Sequence, residues 1–203
     1  MTICFFVVTL KCHQIFARKS VQHFRNFSSG SIVKVIETDG SVRRITGLPA
    51  AVVTASLSPD GTRLDVVATG YRAPNGLSVG PNDELTSSDN EGNWVPSSRV
   101  NLMRPGGFYG HVHTAHTSVP PTDYDKPLLW LPHQMDNSSG GQVWATSTKW
   151  GPLNDQLLFT SYGKCALFAT LLHDVGAQKQ AAMIPLPLKF DTGIMRGLVN
   201  PRD

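Results

Sequence analysis

Apolar and polar residues alternate from Ser31 onward, and the alternation restarts after each of several short turn-forming clusters. In SIVKVIETDGSVRRI the period is two, which puts successive side chains on opposite faces of a strand. The break falls at Asp39-Gly40, a dipeptide suited to a tight hairpin because glycine reaches positive φ without a Cβ clash. LSPDGTRLDVVA (57–68) and LSVGPNDEL (77–85) repeat the unit: an apolar strand end, a proline that presets φ, an Asp or Asn that bonds its own backbone, and a return strand. Looser copies stand at WGPLNDQLLF (150–159) and LVNPRD (198–203). No stretch of 12 or more residues keeps the 3.6-residue apolar spacing of an amphipathic helix, so long helices are not expected.

Repetition of small antiparallel units predicts an all-β chain, either a β-propeller of radially arranged four-stranded sheets or a sandwich of similar strands. Residues 1–30 are expected to form a poorly defined N-terminal segment and residues 31–203 the propeller portion. GLVNPRD stops inside a turn pattern without its return strand, which reads as part of a longer propeller. Composition agrees with this reading: charged residues make up only 16% of the chain, against 18 Gly and 14 Pro, as suits short elements joined by turns. The net charge of +3 is scattered, with no basic run or stripe, and gives nucleic-acid binding no support. Cys4, Cys12 and Cys165 form neither a paired framework nor a Cys-x-x-Cys metal motif. The apolar run from Ile3 to Leu10 falls short of the roughly 20 residues a membrane helix needs. Lys11, Arg18 and Lys19 follow that run rather than precede it, unlike a secretory leader.

Several clusters could carry chemistry. Arg72, ahead of Pro74, is expected to project from a strand-to-loop junction, either into a central pocket or onto loop carbonyls. SSDNEGNW supplies Asp89, Asn90, Glu91 and Asn93, hard oxygen ligands of the kind that hold Ca²⁺, around a flexible Gly92. The same residue types at a turn also bond their own backbone. Trp94 reads as a packing anchor. His111, His113 and His116 are close enough in sequence to suggest zinc, but no carboxylate partners stand near them, and a plain loop is the better reading. His133 and Asp136, three residues apart across a turn, could form a carboxylate-oriented general base; the alternative is a turn stabilised by Asp136, Asn137 and Ser138. No Gly-x-Ser-x-Gly elbow is present, which argues against a serine hydrolase.

GYRAPNGLSVGPNDEL resembles the Gly-x-Arg-x-Pro-x-Gly-Leu segment of the pyrroloquinoline-quinone-dependent sugar dehydrogenases, the glucose/sorbosone dehydrogenase-like six-bladed propellers. Residues 127–172, with PLLWLPHQMDNSSGGQVW at their start, and GIMRGLVNPRD (193–203) are similar to later segments of that family in the same order. The likeness spans residues 60–203. SDNEGNWVPSSRVN, RPGGFYG and WLPHQMDNSSGG resemble a planctomycete-type subgroup whose propeller is commonly joined to a cytochrome c-like haem domain, although this chain has no Cys-x-x-Cys-His haem motif.

The resemblance implies three to four blades of a six-bladed ring, with Arg72, Asn75 and Arg196 facing the quinone and Arg72 paired with Arg196 across the funnel. It also implies Ca²⁺ near the loop of Asp89, Asn90 and Asn93. Ala73 stands where the family usually has Asn, which removes one polar contact to the quinone. The activity implied is hydride transfer from a sugar or aldose hydroxyl, with a cytochrome-type electron acceptor and a periplasmic or other extracytoplasmic location. The family's catalytic histidine would lie upstream and is not assigned to His13 or His23, so activity of this chain alone is not expected. The alternative is a non-catalytic propeller that binds carbohydrate or a protein partner within a haem-bearing multidomain protein.

Overall fold

The computed structural model describes residues 66–199 with their side chains, together with the backbone of short strands that precede them. Those strands are β1 (Ile3–Phe6), β2 (Gln14–Ala17), β3 (Gln22–Arg25), β4 (Val33–Ile36), β5 (Val42–Ile45), β6 (Ala55–Leu57) and β7 (Leu64–Val66). The chain divides into two compact units, Thr9–Val66 and the remainder.

In the first unit β2 pairs with β3, β4 with β5 and β6 with β7, all antiparallel. β4 and β5, on either side of Asp39-Gly40, pair in the register Ile36↔Val42; the turn residues themselves lie outside the described residues. The LSPDGTRL unit closes as Leu57↔Leu64.

The second unit continues with β8 (Ala68–Thr69), β9 (Asn75–Val79), β10 (Leu85–Asp89), β11 (Ser98–Met103), β12 (Gly107–Phe108), β13 (Leu129–Leu131), β14 (Ser139–Trp144), β15 (Leu157–Ser161), β16 (Ala166–Val175), β17 (Gln178–Pro185) and β18 (Arg196–Val199). Two four-stranded antiparallel sheets dominate, in the orders β9-β10-β11-β13 and β14-β15-β16-β17. β18 pairs with β1, and the two-residue β8 and β12 pair in parallel. Helix is confined, among the described residues, to two 3₁₀ segments, Val112–Thr114 and Thr148–Leu153. The second replaces the looser turn copy expected at 150–159: Trp150 lies in the 3₁₀ segment and only Leu157 onward is strand. The copy at 198–203 runs outside the described residues from residue 200.

Each four-stranded sheet is a blade, and the blades pack face to face. Val100 and Leu131 of the first blade meet Trp144, Leu157, Phe159 and Phe168 of the second in one buried cluster. Leu158, Leu167, Ala169 and Ala145 form another cluster. Leu157 and Phe159 thus fall in one cluster and Leu158 in the other, as the two-residue period of a strand requires. All five residues of β15 are buried, which is why LLFTS reads as a continuous run with little alternation.

The turn in LSVGPNDEL forms, but the side-chain bond to backbone expected of its Asp or Asn comes from Glu84 instead. Gly80 N–H donates to Glu84 O at 2.7 Å, Asp83 takes φ 62°, and Glu84 accepts from Asn82 N–H at 2.9 Å.

Inner strands β9 and β14 approach more closely than side chains would allow. A Cβ on Gly76, which has φ +71°, would lie 2.6 Å from Gly141 Cα, inside contact distance of main chain that cannot rotate away. Gly141 N–H in turn donates to Met195 O at 2.9 Å, next to the start of β18. The starts of β9, β14 and β18 therefore converge at one end of the blades. Antiparallel pairing brings the end of β10, the start of β11 and the end of β13 to the same end.

Candidate functional site at the convergent strand ends

The candidates for the quinone, calcium and polar-pair roles lie in or beside connections at this end of the blades. Arg72 precedes β9 and Asn75 begins it; Asp89 ends β10 and Asn90 to Asn93 follow; His133 and Asp136 lie between β13 and β14; Arg196 begins β18.

Asp89 organises the connections of the first blade. Its carboxylate is fully buried. Oδ1 accepts from the backbone N–H groups of Ala73 at 2.8 Å and Asn90 at 2.9 Å, while Oδ2 accepts from Arg72 N–H at 3.0 Å and from Arg99 Nη2 at 2.5 Å. Burial pushes this carboxyl above its ordinary value, against the opposing pull of Arg99 and the three amides. Arg99 is itself 1% exposed, with its guanidinium carbon 6.0 Å from the centre of the Trp130 ring. Tyr71 packs beside this pair, its ring 5.0 Å from that of Tyr109. Burial, then Tyr109 and Asp89, raise its hydroxyl well above the usual tyrosine range. Tyr71 Oη and Arg99 Nε are buried without a partner among the described residues.

The acidic loop does not fit Ca²⁺. Both Asp89 oxygens are committed to amides and to Arg99, and Asn93 Oδ1 accepts from Val112 N–H at 2.8 Å. The same residues also hold the loop down, since Asn93 N–H donates to Gly110 O at 2.8 Å. No group of three or more His, Cys, Asp or Glu gathers as a metal shell among the described residues. Trp94 packs on Tyr124 and Phe108, with ring centres 5.3 and 6.0 Å away, as an anchor would. His111 caps the 3₁₀ turn Val112–Thr114 and His113 lies within it; their rings are 5.5 Å apart, and His111 Nδ1 lies 3.0 Å from Thr114 Oγ1.

The structure separates His133 from Asp136. Asp136 is fully buried and accepts from Ser139 Oγ at 2.7 Å and Ser161 Oγ at 2.5 Å, so it ties the β13–β14 connection to the start of β14 and the end of β15. His133, whose side chain is 54% exposed, places Nε2 3.3 Å from Glu91 Oε1 instead. Glu91 Oε2 forms an ion pair with Arg72 Nη1. Partial burial pushes the Glu91 carboxyl up, but its own backbone amide, Arg72 and His133 outweigh that and leave it below the usual carboxylate value.

Asn75 and Arg196 do come together. Arg196 Nη1 donates to Asn75 Oδ1 and, at 2.8 Å, to Met195 O. Asn75 Nδ2 donates to Ser139 O at 2.8 Å and lies 2.7 Å from Met195 Sδ. Arg196 thereby reaches from β18 past β14 to β9. Desolvation lowers its pKa below the usual arginine value. Arg72 and Arg196 hold separate partners and form no pair with one another.

Sequence reasoning missed Arg99, Ser139 and Ser161, which decide what Asp89 and Asp136 do. A single arginine inside the strand SRVNLM was the available pointer to a buried counter-ion.

No family model matches the sequence, and no curated protein matches it. Solved structures do. An oxidoreductase described as a glucose dehydrogenase, from Thermus thermophilus, superposes with a TM-score of 0.52 at 20% identity, over 90% of this chain and 66% of that one. The apo soluble aldose sugar dehydrogenase of Escherichia coli gives 0.47 at 11% identity, over 79% of this chain and 66% of that one. The pyrroloquinoline-quinone-bound aldose sugar dehydrogenase of Streptomyces coelicolor gives 0.43 at 16% identity, over 89% and 61%. The chain is an all-β partial propeller with the fold of the sugar dehydrogenase propellers. It spans just under two thirds of the length of the Thermus protein. Among the described residues, no helix is long and apolar enough to cross a membrane.

Proposed function

We propose that this chain is part of a quinoprotein-type sugar or aldose dehydrogenase, and that the convergent ends of β9, β14 and β18 hold pyrroloquinoline quinone. The observation that carries this reading is the Arg196–Asn75 link. It sets a desolvated guanidinium, with no carboxylate partner among the described residues, where three inner strands meet in a sugar dehydrogenase fold. Pyrroloquinoline quinone is a planar tricarboxylate. An arginine whose fork is fixed at one nitrogen suits a carboxylate presented edge-on to the other. Asn75 fixes that fork, and Ser139 O and Met195 in turn hold Asn75, so the donor is positioned before any ligand arrives.

When bound, the quinone supplies a two-electron acceptor for the hydroxyl-bearing carbon of an aldose. The remaining tasks fall to the protein. Asp89 fixes the backbone of Arg72 and Ala73. His133, facing Glu91 through Nε2, is an exposed imidazole at this end suited to general-base work. Asp136 is removed from proton transfer by its two hydroxyl donors and acts as a positioning residue for the β13–β14 connection. A cytochrome-type acceptor and an extracytoplasmic location go with this reading and are supported by the sequence resemblance.

The test is dye-linked aldose oxidation by the complete protein of which this chain is proposed to be part, after loading with pyrroloquinoline quinone. The expected result is aldose-dependent dye reduction that falls at least about tenfold in Arg196→Gln, as befits loss of a charge-assisted contact. A rate no greater than that of free quinone would contradict it.

A further inference from the structure

Arg72 is fixed at its root and occupied at its tip. Its backbone N–H and that of Ala73 are held by Asp89, while its guanidinium, on a side chain 51% exposed, meets Glu91. Glu91 is not a loosely tethered surface acid. Its second oxygen faces His133 Nε2 at 3.3 Å. Before it, Asn90 N–H is bonded to Asp89; after it, Asn93 is bonded to Gly110 O and Val112 N–H. A Cβ at the intervening Gly92 would meet Gly110 O at 2.5 Å, so the loop lies directly on its neighbour.

A carboxylate fixed against a guanidinium presents the same chemistry as a carboxylate borne by a ligand, and the two compete for one fork. The two arginines at this end therefore differ in kind. Arg196 has no counter-ion among the described residues, whereas Arg72 carries one built into the chain.

We infer that Glu91 is a specificity-determining residue, an internal carboxylate that holds Arg72 and selects against anionic ligands unless they displace it. The inference rests on the proposed quinone reading for the location of the ligand. The Arg72–Glu91–His133 geometry is what points to competition.

Equilibrium titration of the full chain with pyrroloquinoline quinone, followed by tryptophan fluorescence, reads this out without any turnover. Its trimethyl ester, which keeps the quinone and lacks the negative charges, serves as the second probe. Glu91→Gln is expected to bind the tricarboxylate about fivefold more tightly, the size of releasing an exposed ion pair, with no gain for the ester. The double variant Arg72→Gln/Glu91→Gln is expected to lose that gain. Circular dichroism of each variant reports that the fold is retained. Unchanged or weaker binding by a folded Glu91→Gln, an equal gain for the ester, or no binding by any variant would overturn the inference. Loss of binding in Arg196→Gln without a gain in Glu91→Gln would leave the quinone site standing and remove the role of Glu91. A gain in Glu91→Gln without aldose oxidation would do the reverse.

Discussion

Replacing Asp89 by Asn keeps the shape of the side chain and removes its charge, so the loss reads directly on the buried pair. Two donors point at each oxygen: Ala73 and Asn90 amides at Oδ1, the Arg72 amide and Arg99 Nη2 at Oδ2. An asparagine side chain offers one carbonyl oxygen and one NH₂, so in either orientation two of the four donors face another donor. Hydrogen bonds to a charged group contribute about 1.5–3 kcal/mol each, which puts the loss near 3–6 kcal/mol. Leaving Arg99 buried without its carboxylate gives an independent figure of about 3–5 kcal/mol. The two overlap at about 4 kcal/mol, a large part of the stability of an ordinary domain. With a urea dependence of about 2 kcal/mol per molar, the denaturation midpoint followed by tryptophan fluorescence should fall by roughly 2 M. The double variant Asp89→Asn/Arg99→Met, which removes the unpaired buried charge and keeps an acceptor for the amides of Ala73 and Asn90, should recover part of the loss. A single-variant loss below about 1 kcal/mol would show that Asp89 is not the anchor described.

Other consequences can be measured alongside. Gly76→Ala should cost about 2 kcal/mol or more, because it adds a clash with Gly141 main chain to positive-φ strain. Gly106→Ala, at φ +77° with open space around it, should cost less; equal shifts in thermal midpoint would refute the close approach of β9 and β14. Asp136→Ala should destabilise by about 2 kcal/mol or more through the stranded hydroxyls of Ser139 and Ser161, whereas His133→Gln should change stability by less than about 0.5 kcal/mol; comparable losses in urea would contradict the separation of the two. Burial, then His113, Arg72 and Arg99, hold His111 below its ordinary pKa of 6.5. The unfolded chain then takes up the proton first, so stability should fall as pH drops below about 6.5. NMR titration should show His111 protonating at lower pH than a free histidine, and His111→Gln should flatten that part of the stability profile.

The hairpins were legible because their information is local: a two-residue period and a turn dipeptide fix LSVGPNDEL with no reference to the rest of the chain. The site was legible only as a set of positions. Arg72, Asn75, Asp89, His133 and Arg196 all reach one end of the blades because strand alternation fixes which end each connection occupies. Their partners were not legible, since those depend on contacts between segments far apart in sequence. Asp136 stands three residues from His133, yet Ser161, from the next blade, takes its Oδ1. Glu91, grouped with metal ligands by composition, is turned instead to Arg72 and His133 because the amides around Asp89 fix the start of its loop. WGPLNDQLLF has the letters of a strand-turn-strand unit, but Gly151 at φ 55° followed by Pro152 shapes a kinked 3₁₀ segment.

The central claim, that Arg196 and Asn75 form a preset anchor for an anionic quinone, is tested most directly by the binding isotherm of pyrroloquinoline quinone on the full chain. Saturable one-to-one binding is expected, weakened at least about tenfold by Arg196→Gln and to a lesser degree by Asn75→Ala, which frees the fork. Absence of saturation, or an isotherm that Arg196→Gln leaves unchanged, would contradict it.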